Sequence, residues 1–86
     1  MGTSLTLREV FAEELKEHPS IESTVMREVI AILNEPMNQG LMSFPGENPL
    51  SLSDLGREVA KENVERIREI VRKTITDVTN RVYPCP

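Results

Sequence analysis

The stretch between Pro49 and Pro84 most constrains the fold, because no proline interrupts it and its apolar residues recur at helical spacing. Toward its end the apolar positions step by four, three and four residues, which is the spacing of one helix face and not of a strand. The pattern predicts a single helix from Ser51 or Ser53 to residue 83, about 45 Å long at 1.5 Å per residue. The β-branched residues of segment 71–83 leave a strand there as the alternative.

Two shorter helices are predicted before the long one, separated by a break at His18, Pro19 and Ser20. Thr6 and Glu9 have the spacing of a capping box, so the first helix is predicted over 6–17. The second helix is predicted from Ser20 to residue 35, because Pro36 cannot continue it. Its apolar residues cover more than half of its circumference, which is typical of a helix buried between neighbours.

The connection over residues 35–50 holds three prolines and two glycines, so it is predicted to be irregular. Its apolar residues, among them Met37 and Leu41, predict that it folds back over the open end of the helices. The predicted fold is therefore all-α: a hairpin of two helices packed on a long C-terminal helix, in a single domain over residues 1–86.

Composition narrows the classes of function. The 86 residues carry ten basic and fourteen acidic side chains, and the only cysteine is Cys85. A lone cysteine excludes a fold stapled by internal disulfides, and no apolar run approaches the roughly 18 residues of a membrane span, so a cytoplasmic protein without a membrane partner is predicted. Local motifs for phosphate, dinucleotide or zinc binding are absent, so no cofactor, metal or small-molecule substrate is predicted. His18 is interpreted as a cation beside a helix C-terminus, and the chain is not predicted to be an enzyme.

The predicted function is a non-catalytic protein-interaction module or regulatory subunit that self-associates through its C-terminal helix. Three successive valines occupy equivalent positions of a short heptad pattern, as in helices that pair with another helix. The predicted partner-binding residues are Val59, Val64, Ile67, Val71, Val78, Val82, Met42 and Phe44. Packing against the first two helices of the same chain explains this stripe equally well. If the stripe is an interface, Val71→Asp is expected to dissociate an oligomer before it unfolds the monomer.

Two sets of charged residues suggest other possible binding surfaces. The acids of the first helix are predicted to form either a solvated face or a docking surface for a basic partner; they are Glu9, Glu13, Glu14 and Glu17. The alternative function, nucleic-acid binding, would use Arg66, Arg68, Arg72 and Lys73.

The charges of the C-terminal helix also have the spacing of intrahelical ion pairs. The predicted pairs include Glu62 with Arg66, Glu69 with Lys73, Asp77 with Arg81, and Glu65 with Arg68. Acids that alternate with bases in this way oppose phosphate binding. So does the long connection before the helix, since a helix-turn-helix uses a turn of about three or four residues.

Overall fold

The computed structural model describes residues 5–41 and 51–83, and in them three α-helices surround one apolar core. Helix α1 is Leu7–Glu14, α2 is Glu22–Leu33 and α3 is Val64–Val82. Both shorter helices pack against α3. The predicted all-α fold is therefore confirmed, and segment 71–82 is helix and not strand.

Helix α1 begins at the predicted capping box. The Thr6 hydroxyl accepts a hydrogen bond from the Glu9 N–H at 3.2 Å, and the Glu9 carboxylate accepts one from the Thr6 N–H at 3.1 Å. These reciprocal bonds satisfy donors that have no partner inside the helix. The helix ends at Glu14, earlier than predicted, and the chain turns so that the His18 N–H donates to the Leu15 carbonyl at 2.9 Å.

Helix α2 follows a 3₁₀ turn at Pro19–Ile21 and is followed by another at Pro36–Leu41. Its end at Leu33 agrees with the predicted stop before Pro36. Leu41 is half-buried against the core, as predicted, but Met37 is exposed. The prediction that the connection buries Met37 is therefore wrong. Met42 and Phe44 lie outside the described residues.

The predicted helix from Ser51 is wrong over residues 51–63. Two 3₁₀ turns, Leu52–Asp54 and Lys61–Asn63, flank a short strand, β2, at Glu58–Val59. This strand pairs antiparallel with β1, Leu5–Thr6, and places Leu5 opposite Val59. The C-terminal helix has 19 residues, about 28 Å at 1.5 Å per residue, which suits a core of this size.

Hydrogen bonds from the first N–H groups of α1 explain why residues 55–57 do not form a helix. The Leu7 N–H donates to the Arg57 carbonyl at 2.9 Å, and the Arg8 N–H donates to the Leu55 carbonyl at 2.7 Å. The first N–H groups of a helix cannot bond within the helix, so carbonyls from another segment satisfy them. A continuous helix through 55–57 would use these carbonyls for its own hydrogen bonds.

The core lies between α3 and the two shorter helices. Its fully buried side chains come from every helix and from β2: Leu7, Val10, Phe11, Val25, Val29, Val59, Ile67 and Val71. Thr74 is also buried, and its hydroxyl donates to the Ile70 carbonyl at 2.8 Å, so this polar group is satisfied within α3. The charged side chains of α3 consequently lie on its remaining surface.

Candidate functional site

Most of the predicted partner-binding residues lie in the core of this chain. Val59, Ile67 and Val71 are fully buried and Val78 is 1% exposed, because α1, α2 and β2 cover this side of α3. Val64 is half-buried, and Val82 is exposed. In this conformation, the four buried side chains are not accessible to a partner. Met42 and Phe44, predicted for the same role, fall in the part of the chain that the structure does not describe.

Two of the predicted docking acids connect α1 to α3. The Glu13 carboxylate accepts from the Arg68 guanidinium at 3.1 Å, and Glu14 accepts from Arg72 at 2.8 and 3.3 Å. Glu9 belongs to the capping box of α1, and Glu17 is exposed. The four acids therefore do not act as one free surface, since three of them bond to groups of the chain itself.

The basic residues of the nucleic-acid alternative divide between two sides of α3. Arg68 and Arg72 face α1, where they bind Glu13 and Glu14. The hydrogen bond and the charge of Glu14 raise the pKa of Arg72 above its ordinary value. Partial desolvation opposes such a shift at Arg68, but the hydrogen bond and the charge of Glu13 outweigh it and raise that pKa as well. Arg66 and Lys73 lie on another side of the helix, beside a groove.

Some charged side chains of α3 form ion pairs with other described residues and some do not. Arg81 binds Glu28 of α2 and also Asp77 at 3.2 Å, and Arg68 binds Glu65 at 2.8 Å, so two of the predicted intrahelical pairs are present. The pairs predicted between Glu62 and Arg66 and between Glu69 and Lys73 do not form. Across residues 5–41 and 51–83, no ion pair engages Arg66, Glu69 or Lys73.

These three charged residues line a groove of about 400 Å³ between the end of α2, the 3₁₀ turn that follows it, and α3. Two half-buried apolar side chains, Ile32 of α2 and Ile70 of α3, also line it. Met37 lies on its rim with 84% of its surface exposed. The groove thus combines apolar side chains with charges of both signs that other described residues leave unpaired.

The 3₁₀ turn at Pro36–Leu41 sets the position of Met37. Asn38 is 8% exposed, and its side-chain amide donates to the Ile32 carbonyl at 2.9 Å. Its backbone N–H donates to the Glu35 carbonyl at 2.8 Å. Asn38 thereby fixes the turn against the end of α2, while the neighbouring Met37 side chain stays on the surface. Sequence spacing carries no signal for this bond, so the groove was not predicted.

Titratable side chains give no second site among the described residues. No group of three His, Cys, Asp or Glu side chains in residues 5–41 and 51–83 is arranged to hold a metal ion. His18 is half-buried and begins the 3₁₀ turn that leads into α2. Cys85 is outside the described ranges.

None of the described helices combines the length and the apolar character needed to cross a lipid bilayer. Comparison with protein-family models, with curated proteins and with solved structures finds no match to this chain. The groove and the residues that surround it are therefore the candidate functional site.

Proposed function

We propose that this chain is a non-catalytic protein-interaction module that self-associates through the groove between α2 and α3. The observation that carries the proposal is Met37, which is 84% exposed beside the half-buried side chains of Ile32 and Ile70. When a partner covers a large exposed apolar side chain, the removal of that surface from water lowers the free energy of the complex. Methionine is also flexible, and it is common on surfaces that adapt to a partner.

The charges around the groove fit the rim of a protein interface. Glu35 and Glu69 are acidic, Arg66 and Lys73 are basic, and all four are exposed. Protein interfaces typically enclose an apolar centre within a polar rim, and the charges of that rim orient the partner more than they add affinity. A groove with equal numbers of acidic and basic residues can bind a protein surface that also carries both signs of charge. A second copy of the same groove is such a surface.

This distribution favours a protein partner over the nucleic-acid alternative. Acids on the groove would repel phosphates, and Arg68 and Arg72 are already bound to Glu13 and Glu14.

The cytoplasmic location proposed with this function follows from the single cysteine, Cys85, since an isolated thiol is easiest to maintain in a reducing compartment.

Sedimentation equilibrium over a range of protein concentrations tests the proposal. The wild-type chain is expected to self-associate reversibly, and Met37→Asp is expected to weaken that association about tenfold or more, because it would bury a charge at the contact. Leu52→Asp is the matched control, since Leu52 is 45% exposed and does not line the groove. Both substituted positions are exposed, so both variants should keep the wild-type helix content.

Three results would contradict the proposal. The first is a wild-type chain that stays monomeric at every concentration, and the second is an equal loss of association in the two variants. The third is a gel shift by the monomer with an affinity that falls steeply with salt, which would support the nucleic-acid alternative instead.

A further inference from the structure

We infer that two copies of this chain pair through α3 in antiparallel orientation, with Glu69 of each copy opposite Lys73 of the other. The inference rests on the proposed function and adds the geometry of the contact. Its basis is the order of the charges along the groove side of α3 and the lack of ion pairs, among the described residues, for the three charges of α3 that line the groove.

The charges on this side of α3 alternate in sign. Arg66, Glu69 and Lys73 line the groove, and Asp77 follows four residues later. Steps of three and four residues keep all of them on one side of a helix. All four side chains are exposed, and Asp77 also binds Arg81 of its own helix at 3.2 Å. The row is therefore on the surface, where another molecule can contact it.

Alternating charge distinguishes between the two ways in which identical helices can pair about a two-fold axis. In a parallel pair in register, each charge lies opposite its own copy, so that arginine meets arginine and glutamate meets glutamate. In an antiparallel pair whose axis lies at the level of residue 71, Glu69 lies opposite Lys73, and Arg66 lies beside Asp77. Both of these pairs are then of opposite sign, and by symmetry each of them occurs twice in the dimer.

The bounds of α3 favour an axis at residue 71 over one nearer the start of the helix. An axis between positions 66 and 69 would also match opposite signs, but it needs Glu62, which lies in the 3₁₀ turn Lys61–Asn63 and not in the helix. An axis at residue 71 uses positions that all lie within Val64–Val82. It also places Ile70, a half-buried apolar residue of the groove, beside the axis, with the charges farther out.

Charge reversal combined with mixing tests this arrangement. Glu69→Lys and Lys73→Glu each place like charges across the proposed axis, so each variant alone is expected to self-associate at least about tenfold more weakly at low salt. In an equimolar mixture, every pair between the two different chains is again of opposite sign. The mixture is therefore expected to recover association close to that of the wild type, measured by sedimentation equilibrium.

The controls distinguish a loss of ion pairs between the two chains from a loss of helix stability within one chain. Lys16→Glu makes the same change of charge as Lys73→Glu at an exposed position beyond the end of α1, and it is expected to leave association unchanged. Circular dichroism of each variant checks that the helix content is kept. Recovery on mixing cannot arise from a change of helix stability within either chain, since each chain keeps its own substitution.

The outcomes distinguish the inference from the proposed function. If the wild type self-associates but the single reversals leave its affinity unchanged, or the mixture does not recover, the antiparallel arrangement is refuted and the proposed function stands. If the wild type is monomeric at all concentrations, both are refuted.

Discussion

Val71 and Val82 are apolar residues on the same helix, yet their surroundings differ completely. Val71 is fully buried where α1 and α2 pack on α3, whereas Val82 is 51% exposed at the end of that helix. Sequence spacing assigns both to one stripe, because it records the side of a helix and not what covers it. Burial therefore decides that Val71 contributes to the stability of the monomer.

This difference predicts opposite effects of the same substitution. Val71→Asp would place an unpaired charge in the core and is expected to lower the free energy of unfolding by about 4 kcal/mol or more. A domain of this size has little stability to spare, so we expect the variant to be unfolded without denaturant. Val82→Asp is the control and is expected to change that free energy by less than about 0.5 kcal/mol. Circular dichroism without denaturant shows whether Val71→Asp is folded, and urea denaturation measures the free energy of unfolding of Val82→Asp and the wild type. A folded Val71→Asp monomer would contradict the prediction.

The protonation of Asp54 is coupled to the local structure around it. The Ser51 N–H donates to this carboxylate at 2.9 Å and the Arg57 guanidinium donates at 3.1 Å. These bonds, with that of the Ser51 backbone the most important, hold the pKa of Asp54 below its ordinary value of 3.8. The carboxylate thereby stabilises the 3₁₀ turn at Leu52–Asp54, close to the carbonyls that accept hydrogen bonds from α1.

The lowered pKa gives a defined dependence of stability on pH. Since the folded-state pKa lies below the unfolded value, the contribution of Asp54 is complete above about pH 5 and is lost as the pH falls through 3.8 and then through the folded-state pKa. Asp54→Asn is therefore expected to flatten the acid side of a plot of unfolding free energy against pH. Glu17→Gln, at an exposed position, is the control. Identical slopes for Asp54→Asn and the wild type below pH 5 would contradict this assignment.

At the scale of elements, α3 is held to both shorter helices by arginine side chains. Arg68 and Arg72 bind Glu13 and Glu14 of α1, and Arg81 binds Glu28 of α2. Exposed ion pairs contribute little to stability, so apolar burial supplies most of it and the arginines mainly set how the helices align. Among the described residues, the charges of α3 that remain without an ion pair on the groove side are Arg66, Glu69 and Lys73.

The sequence predicted the three helices because their apolar spacing and their capping signals are local. The segment 51–63 could not be predicted, because its conformation depends on hydrogen bonds to Leu7 and Arg8, which are about 50 residues away. The ion pairs were predicted only in part for the same reason. Arg72 lies three residues after Glu69 of its own helix, but it binds Glu14 of α1 instead. The spacing of residues in the sequence shows which side chains are neighbours within one helix. It does not show which other helix packs against them.

At the scale of the whole molecule, the candidate site forms where elements distant in sequence meet. The groove needs Ile32 from α2, Ile70 from α3 and a turn that holds Met37 outward through Asn38. The sequence predicted a partner-binding surface on α3, and the groove that we propose as the contact also lies on α3. The prediction selected the apolar side of α3, however, and that side is covered by the chain's own helices.

A self-associating module also predicts how the thermal midpoint responds to concentration. Association that requires the folded groove stabilises the folded chain by mass action, so the Tm of the wild type is expected to rise with protein concentration. For a dimer that unfolds to two free chains, a tenfold increase in concentration adds about 0.7 kcal/mol per chain, which corresponds to about 3–5 °C for a domain of this size. Calorimetry of dilution series checks this rise. The Tm of Met37→Asp should rise less over the same concentrations, because less of this variant is associated, while that of Leu52→Asp should rise like the wild type. A wild-type Tm that is constant over the same series would mean that folding and association are not coupled through this groove.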